Sequence, residues 1–120
     1  MKTLNVDPKL RKDQIERYDQ WMDSECVPLC DALNSLSGIK TFESCCGHGQ
    51  HPFMIFFNAD SIDSLRPLLM EIHDRRGWTV EVQWANGGDA IYFGLFYEHV
   101  DVSNCERVFA EANAIAEALR

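Results

Sequence analysis

No apolar run in this chain approaches the ~20 residues that a bilayer-spanning helix needs, so a membrane role is not expected. The first residues, Met1 to Asp13, also lack the apolar stretch of a secretory signal, which leads to the expectation of a cytoplasmic protein. A dense basic run is missing as well: Lys9-Leu10-Arg11-Lys12 and Arg75-Arg76 come nearest, against 19 acidic and 11 basic residues and a net charge of −8. A duplex binder draws much of its affinity from lysines and arginines that displace counterions. The charge therefore argues against general nucleic-acid binding and favours a small polar ligand, a metal or a protein partner. Cysteines are few and odd in number, five in 120 residues. A chain of this length folds without covalent staples, so in a reducing compartment they read as thiols or ligands rather than a disulfide framework.

What is present is enough for one domain. Hydrophobic residues make up 46% and charged residues 25%, the composition of an ordinary globular core with a charged surface. Ile15, Tyr18, Met22, Leu29, Leu33 and Leu36 recur at helical spacing, which predicts a helix over about 12–36, with Pro28 breaking or kinking it near Cys26–Val27. Residues 39–45 and 52–58 read as strands. A helix over 60–76 follows, with Ile62, Leu65, Leu69 and Ile72 inward, its regular part starting near Ser64 because of Pro67. Residues 78–84 and 90–97 form a hairpin about Asn86-Gly87-Gly88-Asp89. Ser103-Asn104-Cys105-Glu106 has the pattern of a capping box opening a last helix. The order α-β-β-α-β-β-α predicts an α+β fold, a four-stranded mixed sheet packed by three helices. Residues 38–58 and 77–97 are of equal length, and each begins with glycine and turns at the same offset. This raises a ββα duplication.

Chemistry concentrates in one place. Residues 44–51 read Ser-Cys-Cys-Gly-His-Gly-Gln-His. Cys45, Cys46, His48 and His51 all bind metals or attack electrophiles, and Gly47 and Gly49 allow a backbone bend that exposes amides. Three uses follow. Thiolate and imidazole are the usual zinc ligands, which makes Cys45, Cys46, His48 and His51 metal candidates, with Cys26 and Cys30 able to complete a site from a passing helix. Adjacent strand residues face opposite ways, so one of Cys45 and Cys46 would serve. Nucleophilic catalysis by Cys46 with His48 is a second use. The third is a turn that wraps a phosphate, carboxylate or similar anion, with Ser44 and the histidines adding hydrogen bonds. Alternating strand directions bring Arg75, Arg76, His99 and the start of the last helix to the same end as this loop, which suits an anionic group.

The string Ala32-Leu33-Asn34, Gly38-Ile39-Lys40-Thr41, Glu43-Ser44-Cys45-Cys46-Gly47-His48 and Phe53-Met54-Ile55-Phe56-Phe57 resembles the wybutosine-synthesising tRNA methyltransferase family. That family has a helix ending near Ile-Asn, a threonine, Ser-Ser-Cys-Ser-Gly-Arg and an apolar strand. The likeness covers about residues 29–57, with cysteine at 46 in place of serine and histidine at 48 in place of arginine. The resemblance implies a related α+β fold and S-adenosylmethionine at the same loop; the other cofactor to consider, zinc, comes from the cysteines and histidines themselves.

Elsewhere the simplest readings are structural. Cys26, Cys30 and Cys105 lie on apolar helix faces and read as core. Trp78 and Trp84 share one strand face and read as core. Phe53, Ile55 and Phe57 alternate with Met54 and Phe56, so this strand is apolar on both faces. It is either central and covered, or one face lies in a homodimer interface.

Overall fold

The computed structural model describes residues 24–47, 51–85, 90–98 and 105–120. A 3-10 turn, Ser24–Cys26, leads into helix α1 (Val27–Asn34). Strands β1 (Ile39–Cys45) and β2 (Met54–Ala59) follow, and then a 3-10 turn, Ile62–Leu65, and helix α2 (Arg66–Ile72). Strands β3 (Trp78–Ala85) and β4 (Ala90–Tyr97) precede helix α3 (Cys105–Leu119). The α+β fold and its element order are those the sequence predicts. The sheet order is β1-β2-β4-β3 and every neighbouring pair is antiparallel, so the sheet is not the mixed one expected: the second strands of the two hairpins meet at the centre running in opposite directions.

The break expected near Cys26–Val27 is the junction of the 3-10 turn and α1, and the regular helix at Pro67 begins at Arg66, two residues after the expected Ser64. Pro28 and Pro67 each occupy the first turn of a helix, where the missing N–H costs nothing and the fixed φ suits the geometry. Among the described residues a 3-10 turn precedes both helices. The part of the expected first helix before residue 24, and the capping-box residues Ser103 and Asn104, lie outside the described residues. Because α2 begins at Arg66, its inward stripe is Leu65, Leu68 and Ile72, whereas Ile62 is 74% exposed and Leu69 also faces out.

All three helices lie on one side of the sheet. α1 covers β1, α2 lies by β3, and α3 packs on both helices and so sits between them. Ile55, Phe57, Phe93, Leu95 and Tyr97 point into this layer and meet Leu29, Leu33, Leu68, Ile115 and Ala116. Fully burying each of the larger side chains contributes roughly 1.5–3 kcal/mol. Central β2 is apolar on both faces as expected, with Ile55 and Phe57 in the core and Met54 and Phe56 half-buried on the opposite face, which is helix-free among the described residues.

The two halves repeat each other about a near-twofold axis normal to the sheet, between β2 and β4. Gly38 and Gly77 both take positive φ, 82° and 91°, just before the first strand of each hairpin. Ile39 and Trp78 donate their N–H to carbonyls three residues back, Leu36 and Arg75. Asp60 donates to the Gly38 carbonyl at 2.9 Å and Glu98 to the Gly77 carbonyl at 2.7 Å. Ile39 pairs with Ala59 and Trp78 with Tyr97, so first strands are offset by 39 residues and second strands by 38. The extra residue is a β-bulge in β1, where the register slips between Thr41 and Glu43 at Phe42. An ungapped comparison of 38–58 with 77–97 therefore inverts the second strand. It equates core Phe57 with Phe96 of the other face, when its structural equivalent is buried Leu95.

Candidate functional site

β1 and β4 run toward one end of the sheet and β2 and β3 start from it. Cys45, Met54, Phe96 and Thr79 lie side by side there on the helix-free face. The 44–51 segment closes that end, and the sequence dictates its bend. Gly47 has φ +88°, and a Cβ there would fall 2.1 Å from the His51 carbonyl oxygen. Only glycine fits such a backbone. The turn is tied by the His51 N–H, which donates to the Gly47 carbonyl at 2.9 Å. The Gly47 N–H in turn donates to Cys45 Sγ at 3.4 Å.

These constraints separate the predicted residues. Ser44 pairs with Ile55 and so faces the helix layer, where its Oγ is buried with no hydrogen-bond partner among the described residues. Cys45 faces the helix-free side and is partly exposed. Cys46, a candidate nucleophile, is buried at 7% exposure as part of the core cluster, beside the Phe53 that closes the loop. Burial keeps a thiol from substrate, which disfavours Cys46 as a nucleophile. His51 is exposed. His48 and Gly49 lie outside the described residues, as does His99. Cys26 and Cys30 are fully buried and belong to the core, as the sequence suggests, in the same cluster as Cys46. Among the described residues no three His, Cys, Asp or Glu side chains are grouped to hold a metal ion.

Of the two arginines, Arg75 is half-buried and committed to its own helix. Its guanidinium holds Glu71 Oε1 through Nη2 at 2.6 Å and Nε at 3.2 Å. This pair neutralises the charge that would have attracted an anion. Arg76 is exposed. Beneath this end of the sheet Phe53, Trp78 and Tyr97 pack edge to face or tilted at 5.3–5.6 Å. Trp78 Nε1 is buried without a partner among the described residues. Trp84, on the same strand face as Trp78, is not core but 70% exposed, because it lies beyond the helices near the far end of β3.

Asn34 and Thr41 have a structural role. Asn34 Nδ2 donates to Thr41 Oγ1, and the Thr41 N–H donates to Asn34 Oδ1, both at 2.8 Å. The end of α1 thereby clasps β1 at the residue before the bulge. The bulge turns Phe42 onto the helix-free face, where its ring meets Tyr92 at 5.3 Å and Phe56 at 6.3 Å. Phe56 continues the edge-to-face series to Phe96 at 5.8 Å. Gly94 makes room for it, since a Cβ there would lie 2.4 Å from Phe96 Cε2. Sequence reasoning missed this aromatic face. The mismatch in register between the two halves is the one signal that marks Phe42, and it is visible only once the strands are paired.

No known family, curated protein or solved structure matches the chain.

Proposed function

We propose that this protein is a small cytoplasmic binding domain whose 44–51 loop takes a small polar or anionic ligand, with Cys45 as the sulfur that meets it. The observation that carries this reading is the Gly47 turn. It holds the Cys45 sulfur at the rim of the helix-free face, against a backbone N–H, while Cys46 is withdrawn into the core. A thiol placed this way contacts a ligand without competing for space in the core. His51 stands at the other end of the same turn as a further polar contact, and Arg76, just before β3, is exposed at the same end of the sheet. The cytoplasmic setting rests on the odd number of cysteines, five in a chain long enough to fold without disulfides, which suits a reducing compartment. Zinc would be bound through Cys45 and His51, and the proposal does not depend on it.

The test is an amide-resolved NMR titration with inorganic phosphate and, separately, with zinc acetate. Saturable shifts centred on Cys45 and Gly47 that vanish in Gly47→Ala support the reading. Shifts spread evenly over the surface, or unaffected by Gly47→Ala, reject it. A second reading, an interaction module without a small ligand, draws on Val82, Trp84 and Ile91. They are 55%, 70% and 50% exposed and adjacent across β3 and β4. Retained partner capture in Cys45→Ser together with its loss in Trp84→Ser favours that alternative.

A further inference from the structure

We propose a second binding site, for a flat aromatic carboxylate, on the helix-free face at the end of the sheet opposite the 44–51 loop. A groove of about 260 Å³ opens there, lined by Phe42, Asn58, Ala90, Ile91 and Tyr92. Its size lies just below the usual small-molecule range of ~300–1,000 Å³, so it suits one or two fused rings.

Three features define the guest. Phe42 is the bulge residue, 51% exposed, and meets Tyr92 edge-on with the ring planes at 74°. Such a corner accepts a third ring stacked on one wall and edge-on to the other. Asn58 is exposed, and its carboxamide makes no hydrogen bond among the described residues. It offers both donor and acceptor to the edge of a planar group. Lys40 is the cross-strand neighbour of Asn58, exposed on the same face and without an ion pair among the described residues. Its flexible stem carries a positive charge to the rim of the groove. In a chain of net charge −8, an unpaired lysine beside an aromatic corner selects a ligand with one negative charge rather than a polyanion. The Asn34–Thr41 clasp holds the bulge and therefore pre-forms the wall. The equivalent half of the molecule has no bulge, so this corner exists once.

The experiment is an amide-resolved NMR titration of the full chain with 2-naphthoate, the neutral 2-naphthamide and the non-planar cyclohexanecarboxylate. The expected result is saturable naphthoate shifts at residues 40–43, 57–59 and 90–93. Phe42→Leu, which keeps an apolar side chain and a dispersed spectrum, weakens binding about tenfold, the scale of an aromatic contact. Lys40→Gln and the neutral amide each weaken it about threefold, the scale of an exposed ion pair. Cyclohexanecarboxylate leaves these amides unmoved. Non-saturating shifts, equal binding of all three probes, or no effect of Phe42→Leu overturns the proposal. Shifts confined to 44–51 also overturn it while sparing the loop reading. Loss of the naphthoate shifts through concentration-dependent self-association assigns the groove to a second copy instead.

Discussion

Replacing Gly47 by alanine tests the geometry on which the loop reading stands. At φ +88° an L-residue pays about 1–2 kcal/mol for the left-handed backbone. The added Cβ would also lie 2.1 Å from the His51 carbonyl oxygen, a backbone atom that cannot rotate away. Relief requires opening the turn, which breaks the His51 N–H bond to the Gly47 carbonyl and removes about 1 kcal/mol. The total is about 2–3 kcal/mol. Gly38→Ala is the control: its φ of +82° imposes similar strain, but its Cβ meets the Ser64 hydroxyl, which can turn aside, so it costs about 1–2 kcal/mol. Equilibrium urea unfolding measures both, and hydrogen exchange at the His51 amide shows whether the turn opened. An equal loss in the two variants with His51 still protected would refute the argument, because the loop would then tolerate a side chain that the structure forbids.

Thiol labelling under native conditions, followed by peptide mass mapping, should modify Cys45 well before Cys26, Cys30 or Cys46. Those three are reached only by unfolding, and simultaneous modification would contradict their burial. Asn34→Ala removes both bonds of the clasp and leaves the Thr41 N–H and hydroxyl without their partner. It should lower stability by about 2 kcal/mol and broaden the NMR signals of residues 41–43, and an unchanged urea midpoint would count against the clasp. Gly94→Ala should displace Phe96 and Phe56 from above β4, at a cost of about 1–3 kcal/mol, and raise binding of a hydrophobic dye. S-adenosylmethionine separates the methyltransferase resemblance from the binding-domain reading: a saturable rise in melting temperature that Gly47→Ala abolishes would favour methyl transfer, and no shift at saturating ligand would remove it.

Much of the architecture was legible because it depends on local rules. Period-2 and period-3.6 patterns, the Gly38 and Gly77 stops and the apolar β2 segment fixed the element order and the direction of each strand. They also foretold that Cys45 and Cys46 would separate, since neighbouring extended residues face apart. The helix expected over 60–76 is shorter, because Ile62–Leu65 forms a 3-10 turn before Pro67, and a 3-10 turn is not distinguishable from an α-helical one in the sequence.

The amino-acid order by itself determined the α+β class, the strand alternation, the core-forming Ile55 and Phe57, and the glycine bend at 47. Each follows from a residue's own conformational freedom or from its periodicity. Tertiary structure alone decided that Arg75 is occupied by Glu71, that Trp84 stands outside the core, and that the Phe42 bulge shifts one hairpin by a residue and builds an aromatic corner with Tyr92. Those outcomes depend on which segments become neighbours across the sheet, and pairing register is a property of two strands together.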